Sequence, residues 1–549
     1  MYNYPTNVKR EFKGYLKNNM QASLYYEKSF AKTHNLKLLA LYEQSSTTNP
    51  GNISVIRNLN MDVLDEISAG SVEEQQIGSS YPSSLTNQGI IGKLNYDYKG
   101  KYLLESSFRY DGSSQFAEGK RWGFFPNFSA GWRLSEENFI KESSFLKFVD
   151  NFKLRASYGI LGDDSGASYE WASGYNYPTG KYIFNGAIIN GLASRGIANT
   201  NLTWYTSKTA NIGIDWSFWN GLFGGSTDVY SRHREGLLAN RISSIPSTVG
   251  ASMSKENLNS DMTIGWDLLL SHTNKIGKLN YSVTANINIA RTKNLHVEGA
   301  RKLNSYDNWK SNQNDRWNDM MWGHELLGQI TTQEQLNEIL LHKNTSQNAL
   351  SGYGDYYHAD LNGDGWVTEW DDLSPTFINN IPKITGGLTF TADYKGFDLS
   401  LAFNGAAAYT VLYEEYLRTP QVFNGTVGAL NLWTDRWHQD DAGNWIAGKY
   451  PRYRAEWTYL PNVWDDSRRE RNASYIRLKN LELGYKLPKS LLKAIKMQEA
   501  RVYVNGYNLL TFSAIKEMDP EYRGAENGAA AQYMYPMNRN YSFGINITF

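Results

Sequence analysis

The feature that most limits the possible folds of this chain is the repeated occurrence of long segments in which apolar and polar residues alternate strictly. Successive side chains of a β-strand point to opposite faces of its sheet, so each such segment predicts a strand with one apolar and one polar face. A clear example is Asn280 to Ala290, whose apolar set is Tyr281, Val283, Ala285, Ile287 and Ile289. Further examples lie at residues 152–160 and 211–218.

Short turns join several of these segments. Lys99-Gly100 and Lys395-Gly396 each stand between two alternating runs, and a third turn is predicted at Asn220-Gly221. Tight turns of this kind imply antiparallel neighbours. The whole pattern predicts about sixteen strands, many of them about ten residues or longer, which is the length of a tilted strand that crosses a bilayer.

The connections between the strands are unequal in length. Turns of a few residues alternate with long stretches, which we predict to be structureless external loops opposed to short periplasmic turns. The long stretches run from Ser45 to Gln88, from Asp163 to Thr203, from Asn294 to Ile381 and from Glu414 to Arg471. Helix is predicted only in short pieces, at Gln333–His342 and Lys489–Lys496.

The composition favours strands and excludes several classes of function. The chain has 38 Tyr, 22 Phe and 17 Trp and no Cys, which removes disulfides, thiolate nucleophiles and Cys-ligated zinc. Lys plus Arg and Asp plus Glu both total 55, so we expect no nucleic-acid partner. The longest apolar runs, such as Leu38 to Tyr42, are far shorter than the roughly 20 residues of a membrane-spanning helix. Residues 1–5 lack a secretory signal, so an outer-membrane protein that begins here is expected to be a fragment.

The last segment carries the most specific local signal. Its apolar residues alternate with small polar ones, and the segment ends in an aromatic residue. An aromatic last residue is typical of barrel proteins. The apolar residues are Tyr541, Phe543, Ile545, Ile547 and Phe549. The alternative for this segment alone is the amphipathic final strand of a soluble sandwich.

These features together predict an all-β fold, a partial antiparallel transmembrane β-barrel with long external loops. In a barrel the apolar sets face lipid and the polar sets face the lumen, whereas in a soluble sandwich the apolar sets meet between two sheets. The rival interpretation is therefore a soluble or surface-bound β-rich protein that binds or cleaves glycans. A passive porin is a third possibility.

Several motifs resemble the SusC/RagA family of TonB-dependent outer-membrane transporters, and the similarity covers nearly the whole chain. The motifs stand at Gly92 to Tyr96, Arg109 to Ser114, Trp122 to Pro126, Ala473 to Asn480, Leu483 to Tyr485, Leu487-Pro488, Arg501 to Leu509 and Asp519 to Glu521.

The resemblance implies a role and a domain organisation. Full members have a signal peptide, a small β-sandwich, a plug domain and a barrel of about 22 strands, and they work with a SusD-like lipoprotein. Residues 1–549 then correspond to the C-terminal part of the barrel, without the plug or the signal peptide. The implied activity is import of oligosaccharides or peptides across the outer-membrane lipid, driven by the TonB complex through the plug. The chain by itself is expected neither to close a barrel nor to transport.

One loop has the ligand spacing of an EF-hand. Asp360, Asn362 and Asp364 place oxygens at the first, third and fifth positions. Trp366 offers its backbone carbonyl, and Asp371 stands at the twelfth position, where Glu is usual. The spacing predicts a Ca²⁺ site that stiffens an external loop. The alternative is a run of Asx turns that stabilises the loop without metal.

Tryptophans are frequent in the long stretches, where they could stack on sugar rings, grip a lid protein, pack the loops together or form the interfacial girdle. They are Trp309, Trp317, Trp322, Trp366, Trp370, Trp433, Trp437, Trp445, Trp457 and Trp464. We favour packing or the girdle for any single one of them.

No motif in the sequence supports an enzyme. The nucleophile elbow, the P-loop, the zinc-protease motif and the dinucleotide fingerprint are all missing, and the 8 His residues form no cluster in the sequence. The acidic pairs Asp440-Asp441 and Asp465-Asp466 stand in polar loops, where adjacent acids are usually solvated rather than catalytic.

Overall fold

The computed structural model describes most of the chain. The described residues are 7–58, 66–69, 71–73, 75–80, 82–166, 169–242, 247–341, 351–368, 372–412, 431–453, 466–494, 497–516, 518–521 and 537–549.

Strands dominate the described residues. They are β1 (Asn7–Phe12), β2 (Leu16–Phe30), β3 (His34–Asn49), β4 (Ile53–Asn58), β5 (Gln76–Ser79), β6 (Ser83–Tyr98), β7 (Tyr102–Ser113), β8 (Trp122–Arg133), β9 (Val149–Asp163), β10 (Tyr175–Phe184), β11 (Ala187–Ser194), β12 (Tyr205–Phe218), β13 (Phe223–Ala239), β14 (Glu256–Ile276), β15 (Leu279–His296), β16 (Met320–His324), β17 (Leu326–Gln329), β18 (Tyr356–His358), β19 (Leu373–Ile378), β20 (Ile384–Tyr394), β21 (Phe397–Ala407), β22 (Thr410–Leu412), β23 (His438–Gln439), β24 (Trp445–Ile446), β25 (Glu470–Asn472), β26 (Tyr475–Lys486), β27 (Glu499–Ser513) and β28 (Asn540–Thr548).

Helices are few and short. The α-helices are α1 (Asn138–Lys141), α2 (Ser305–Ser311), α3 (Gln333–Leu341) and α4 (Lys489–Ala494), and 3-10 turns lie at Ile67–Ala69, Leu134–Glu136, Ser247–Val249 and Asn431–Thr434. Both predicted helices form from their predicted first residues, while the predicted ends at His342 and Lys496 lie outside the described residues. Helix α2 was not predicted. It begins where the Asn304 side chain accepts the Asp307 N–H at 2.7 Å. Within the described ranges, every helix is too short or too polar to cross a membrane.

One antiparallel sheet of fifteen strands organises the fold, close to the number of strands predicted. Its order is β2-β3-β6-β7-β8-β9-β12-β13-β14-β15-β20-β21-β26-β27-β28. Each strand lies next to the following long strand of the sequence, as tight turns between alternating segments imply. The sheet ends at β2 and β28, and in the part of the chain that is described these two strands do not pair with each other.

The predicted tight turns are confirmed. Tyr394 pairs with Phe397 around Lys395-Gly396, and both turn residues have positive φ, 49° and 92°. Such a turn has the twist that two antiparallel strands need, and Gly396 adopts its φ without the steric cost of a Cβ. Between β6 and β7 the turn has three residues, since Tyr98 pairs with Tyr102, and Lys99 and Gly100 again have positive φ, 55° and 66°.

The prediction that the long stretches are structureless was wrong. The ends of the first stretch belong to β3 and β6, and small sheets occupy much of the rest. These sheets are β1-β4-β5, β10-β11, β16-β19, β17-β18, β22-β25 and β23-β24. Apart from β10 and β11, their strands have at most six residues, so the sequence contains too few alternating residues to distinguish them from loops.

The chain divides into two compact units. The first comprises Met1–Arg133, Arg155–Ala210 and Arg232–Ser260, and the second comprises Leu134–Leu154, Asn211–Ser231 and Asp261–Phe549. Buried apolar residues form a small cluster in the described part of each unit. In the first unit Phe116 and Leu202 pack against Trp204 and Leu238. In the second unit the cluster is Ala406, Tyr409, Val411, Ala473 and Ile515.

Candidate functional site

The large sheet has one apolar face, and that face is exposed. In the first unit the strand register places Ile90, Tyr110 and Phe124 side by side on β6, β7 and β8. Their exposed fractions are 47%, 41% and 58%. Apolar surface of this extent is rarely left in water by a soluble protein. In the first unit this face therefore has the character of a lipid-facing surface.

The second unit repeats the pattern on its last strands. Phe543 pairs with Val504 and Ile545 pairs with Val502, so the apolar sets of β27 and β28 share a face. The apolar residues predicted for the final strand are all exposed: Tyr541, Phe543, Ile545, Ile547 and Phe549. The rival sandwich requires such side chains to meet in a dry interior, and for the described strands that interpretation is wrong.

The opposite face of the sheet is polar and carries ion pairs between strands. In the first unit Lys93 and Glu105 approach to 2.9 Å. In the second unit the Arg501 guanidinium bridges Asp398 and Glu482, and its distance to Glu482 is 2.6 Å. In an outer-membrane barrel the polar face lines the lumen, where charged side chains remain hydrated.

Two of the motifs that carry the resemblance meet in a buried ion pair. Arg477 on β26 is 2% exposed, and its guanidinium donates to both carboxylate oxygens of Asp519 at 2.7 Å. Its Nε donates to Thr511 Oγ1 at 2.9 Å, and Glu521 lies at 3.3 Å. Tyr409, which is also buried, donates its hydroxyl to the carbonyl of Pro520 at 2.8 Å. These contacts hold the Asp519–Glu521 segment against the polar face, a role that the sequence alone did not reveal.

A second buried polar cluster lies among the small sheets of the second unit. Nε2 of His358 lies 2.9 Å from Asp466 Oδ2, and both side chains are fully buried. Arg468 Nε donates to both oxygens of Asp466 at 2.8 Å, and its guanidinium covers the Tyr356 ring at 3.8 Å. Burial lowers the pKa of His358 to about 4. Burial raises the pKa of Asp466, but the His358 hydrogen bond and the Arg468 charge outweigh it and hold that pKa at about 2.

The described part of the EF-hand-like loop consists of Asx turns. Asp360 accepts the N–H groups of Gly363 and Gly365 at 2.7 and 2.8 Å, and Asn362 and Asp364 each accept the N–H two residues further on, both at 2.8 Å. Asp371 lies outside the described residues. The neighbouring carboxylate of Asp372, fully buried, accepts the N–H groups of Leu361 and Asn362 at 2.7 and 3.2 Å. The oxygens of Asp360, Asn362 and Asp364 thus lie together in one loop, and Ca²⁺ binding there stays a prediction.

The tryptophans of the long stretches differ in their surroundings. The ring of Trp309 meets that of Trp322 at 5.0 Å, and the guanidinium of Arg316 lies within 5.5 Å of both rings. Trp433 and Trp437 are buried, whereas Trp366 is 41% exposed. The guanidinium of Arg291 lies over the ring of Trp317, and that of Arg452 lies over the ring of Trp445. Trp370, Trp457 and Trp464 lie outside the described residues.

The two acidic pairs differ where they are described: Asp440 shows ordinary loop geometry, whereas Asp466 is fully buried, so the expectation that it is solvated was wrong. Asp440 accepts the N–H groups of Ala442 and Asn444 at 2.9 and 2.8 Å, and hydrogen bonds from Asn444 lower its pKa. Asp466 belongs to the His358 cluster, and Asp465 lies outside the described residues. Within the described ranges, no group of three or more acidic or His residues is arranged to hold a metal ion.

Comparison with known proteins identifies the family. A family model described as TonB dependent receptor-like, beta-barrel, matches residues 2–509. The chain belongs to this family. TonB-dependent receptor P3 of Formosa agariphila is 28% identical over 96% of this chain and 52% of its own length. TonB-dependent receptor SusC of Bacteroides thetaiotaomicron is 25% identical over 86% of this chain and 44% of its own.

Solved structures agree with the family. The RagAB peptide importer in its open-open state superposes with a TM-score of 0.76 and 21% identity, over 98% of this chain and 56% of that chain. Together with the family model and the SusC relative, this shared fold confirms the resemblance to the SusC/RagA family, whose members are proteins of the bacterial outer membrane. The chain spans about half the length of the curated relatives that it matches.

Proposed function

We propose that the complete protein imports oligosaccharides or peptides across the outer membrane, with energy from the TonB complex and in partnership with a SusD-like lipoprotein. The observation that carries the proposal is the two-faced sheet, which has an exposed apolar face and a polar face with inter-strand ion pairs. Such a sheet is suited to a wall between lipid and a hydrated passage.

The choice of partner and cargo rests on the relatives. SusC is named as a TonB-dependent receptor, and RagAB is named as a peptide importer. Along the chain, the short turns between long strands alternate with connections that contain the small sheets, and a lipoprotein lid would bind to such connections.

The sheet also needs strands beyond those described. Strands β2 and β28 each have one open edge in this structure, and an open edge in lipid leaves backbone groups without hydrogen bonds. We propose that further strands of the complete protein pair with both edges and close the barrel, and that its plug domain contacts TonB.

A growth experiment in the source bacterium tests the proposal. Deletion of the gene should abolish growth on either a neutral oligosaccharide or a peptide mixture as the only carbon source, and the restored gene should recover it. A strain that lacks TonB should show the same loss, because transport without TonB energy would indicate a passive porin. Solubilised membranes should release the protein together with a lipoprotein. Unchanged growth of the deletion strain on every nutrient tested would contradict the proposed import.

A further inference from the structure

A polar cavity lies on the polar face of the first unit, apart from the clusters described above. Its volume is about 440 Å³, within the range of roughly 300–1,000 Å³ that small-molecule sites occupy. Strands β2, β3, β6, β7 and β9 and the segment before β12 contribute to its lining. The lining residues stand at the ends of β2, β3, β6 and β7 that lie away from the short turns.

One wall of the cavity is a cluster of one guanidinium and two carboxylates, with a formal net charge of −1. The strand register places Glu43, Gly89 and Asp111 in one row across β3, β6 and β7. Because Gly89 has no side chain, the guanidinium of Arg109 reaches across the row to both carboxylates, with its Nε 2.9 Å from Asp111. A Cβ at Gly89 would lie 2.5 Å from Asp111 Oδ1, so the cluster depends on this glycine. The wall therefore provides fixed hydrogen-bonding groups, and its net negative charge disfavours acidic ligands.

The other wall is an aromatic ring held in place. Trp204 lies 5.4 Å from the rings of both Phe116 and Phe125, and these two phenylalanines are almost fully buried. Its indole N–H donates to the carbonyl of Arg121 at 2.9 Å. Because these contacts already fix the indole, it loses little conformational entropy when a ligand stacks on it.

Amide side chains surround the space between these walls. Asn19, Gln21 and Asn87 line it from β2 and β6, and an amide both donates and accepts hydrogen bonds. Lys17 and Asp164 add one charge of each sign. Hydroxyl groups match such a surface because each of them also donates and accepts hydrogen bonds. The lining has few apolar side chains that could contact the apolar side chains of a peptide.

We propose that this cavity binds a neutral saccharide unit, with its ring stacked on Trp204 and its hydroxyl groups bonded to the amides and to the Arg109 cluster. The inference rests on the proposed import function and narrows its cargo from oligosaccharides or peptides to oligosaccharides. The Arg109–Ser114 motif thereby gains a role, since Arg109 and Asp111 form the charged wall.

Binding measurements on the complete protein in detergent test the proposal. The probes are a panel of neutral gluco-, manno-, galacto- and xylo-oligosaccharides and, separately, a tryptic peptide mixture. At least one oligosaccharide should bind, and Trp204→Ala should weaken its Kd about tenfold or more, as loss of a buried aromatic anchor does. Asn87→Leu should also weaken it. The matched control is Asn95→Leu on the same face of β6, outside the cavity, which should leave the Kd unchanged.

The outcomes separate this inference from the proposed function. If oligosaccharides bind and are imported but Trp204→Ala and Asn87→Leu leave the Kd unchanged, the cavity proposal is wrong and import stands. Binding of peptides alone would overturn the saccharide assignment. Absence of any TonB-dependent uptake would remove the proposed function itself. Equal heat-modified migration of all variants on gels shows that they fold, so that a weaker Kd reports on the cavity.

Discussion

Arg477 and Asp519 are separated by 42 residues in the sequence, and their side chains form a two-point ion pair with both distances at 2.7 Å. The arginine is 2% exposed, so its charge depends on this partner. The pair joins the β26 motif to the Asp519–Glu521 segment, and its contribution to stability can be measured.

Replacement of Arg477 by alanine should strongly destabilise the protein. Removal of one partner of a buried ion pair leaves an uncompensated charge and costs about 3–5 kcal/mol. The thermal unfolding midpoint of the complete protein in detergent measures the loss. Lys479→Met is the matched control, because Lys479 is 40% exposed and contacts Glu521 at 2.8 Å, a pair worth at most about 1 kcal/mol. Equal effects of the two substitutions would contradict a special role for Arg477.

The small sheets around His358 should loosen in acid. Burial lowers the pKa of His358 to about 4, against an ordinary value of 6.5, so the folded form binds fewer protons than the unfolded form between these values. The stabilisation is complete above pH 6.5 and decreases as the pH falls toward 4, by up to about 3 kcal/mol. Asp466, with its pKa lowered to about 2 from 3.8, adds a loss in the same direction below pH 3.8.

Limited proteolysis between pH 7 and pH 4 measures this loosening. Cleavage near β18 should increase as the pH falls, because His358 must take up a proton while it is buried away from water. In His358→Gln the increase between pH 6.5 and pH 4 should be much smaller. A wild-type cleavage rate that does not change over this interval would show that His358 does not titrate as proposed.

The loop from Asp360 to Asp371 should bind Ca²⁺ weakly. We expect a Kd of about 10⁻⁴–10⁻³ M, the range of extracellular calcium modules, because the acid at the twelfth position is the shorter Asp. Terbium luminescence sensitised by Trp366 measures the binding. Asp360→Asn combined with Asp364→Asn should abolish the signal, and Asp440→Asn in another loop should not. Absence of terbium luminescence in the wild-type protein would contradict metal binding and favour the alternative of Asx turns without metal.

A charge on the apolar face should cost far more than one on the polar face. Phe543 is 85% exposed in the middle of β28, and the adjacent Ser542 points to the opposite face beside Asn505. Phe543→Arg should cost roughly 2–4 kcal/mol, as arginine does on the lipid face at the bilayer midplane, while Ser542→Arg should be tolerated. The amounts of heat-modifiable protein in the outer-membrane fraction compare the two. The reverse order would mean that the apolar face does not contact lipid.

Local pattern was sufficient to predict the long strands and their turns. Alternation placed Phe543 and Ile545 on one face, and Lys395-Gly396 marked a hairpin, because the period of two and the positive φ of a tight turn are properties of neighbouring residues. The small sheets were missed. A strand such as β23, which is His438–Gln439, is too short to show an alternation of apolar and polar residues. Its pairing depends on where the long strands place its partner.

The sequence by itself determined the all-β architecture, the existence of an apolar and a polar face, and the membership of the SusC/RagA transporters. Only the tertiary structure decided which polar residues act together. Glu43, Gly89 and Asp111 form one row because strand register brings distant residues into contact. Arg477 meets Asp519 because the segment after β27 packs against β26. Register is fixed jointly by turns, bulges and packing across several strands, and no single segment encodes it.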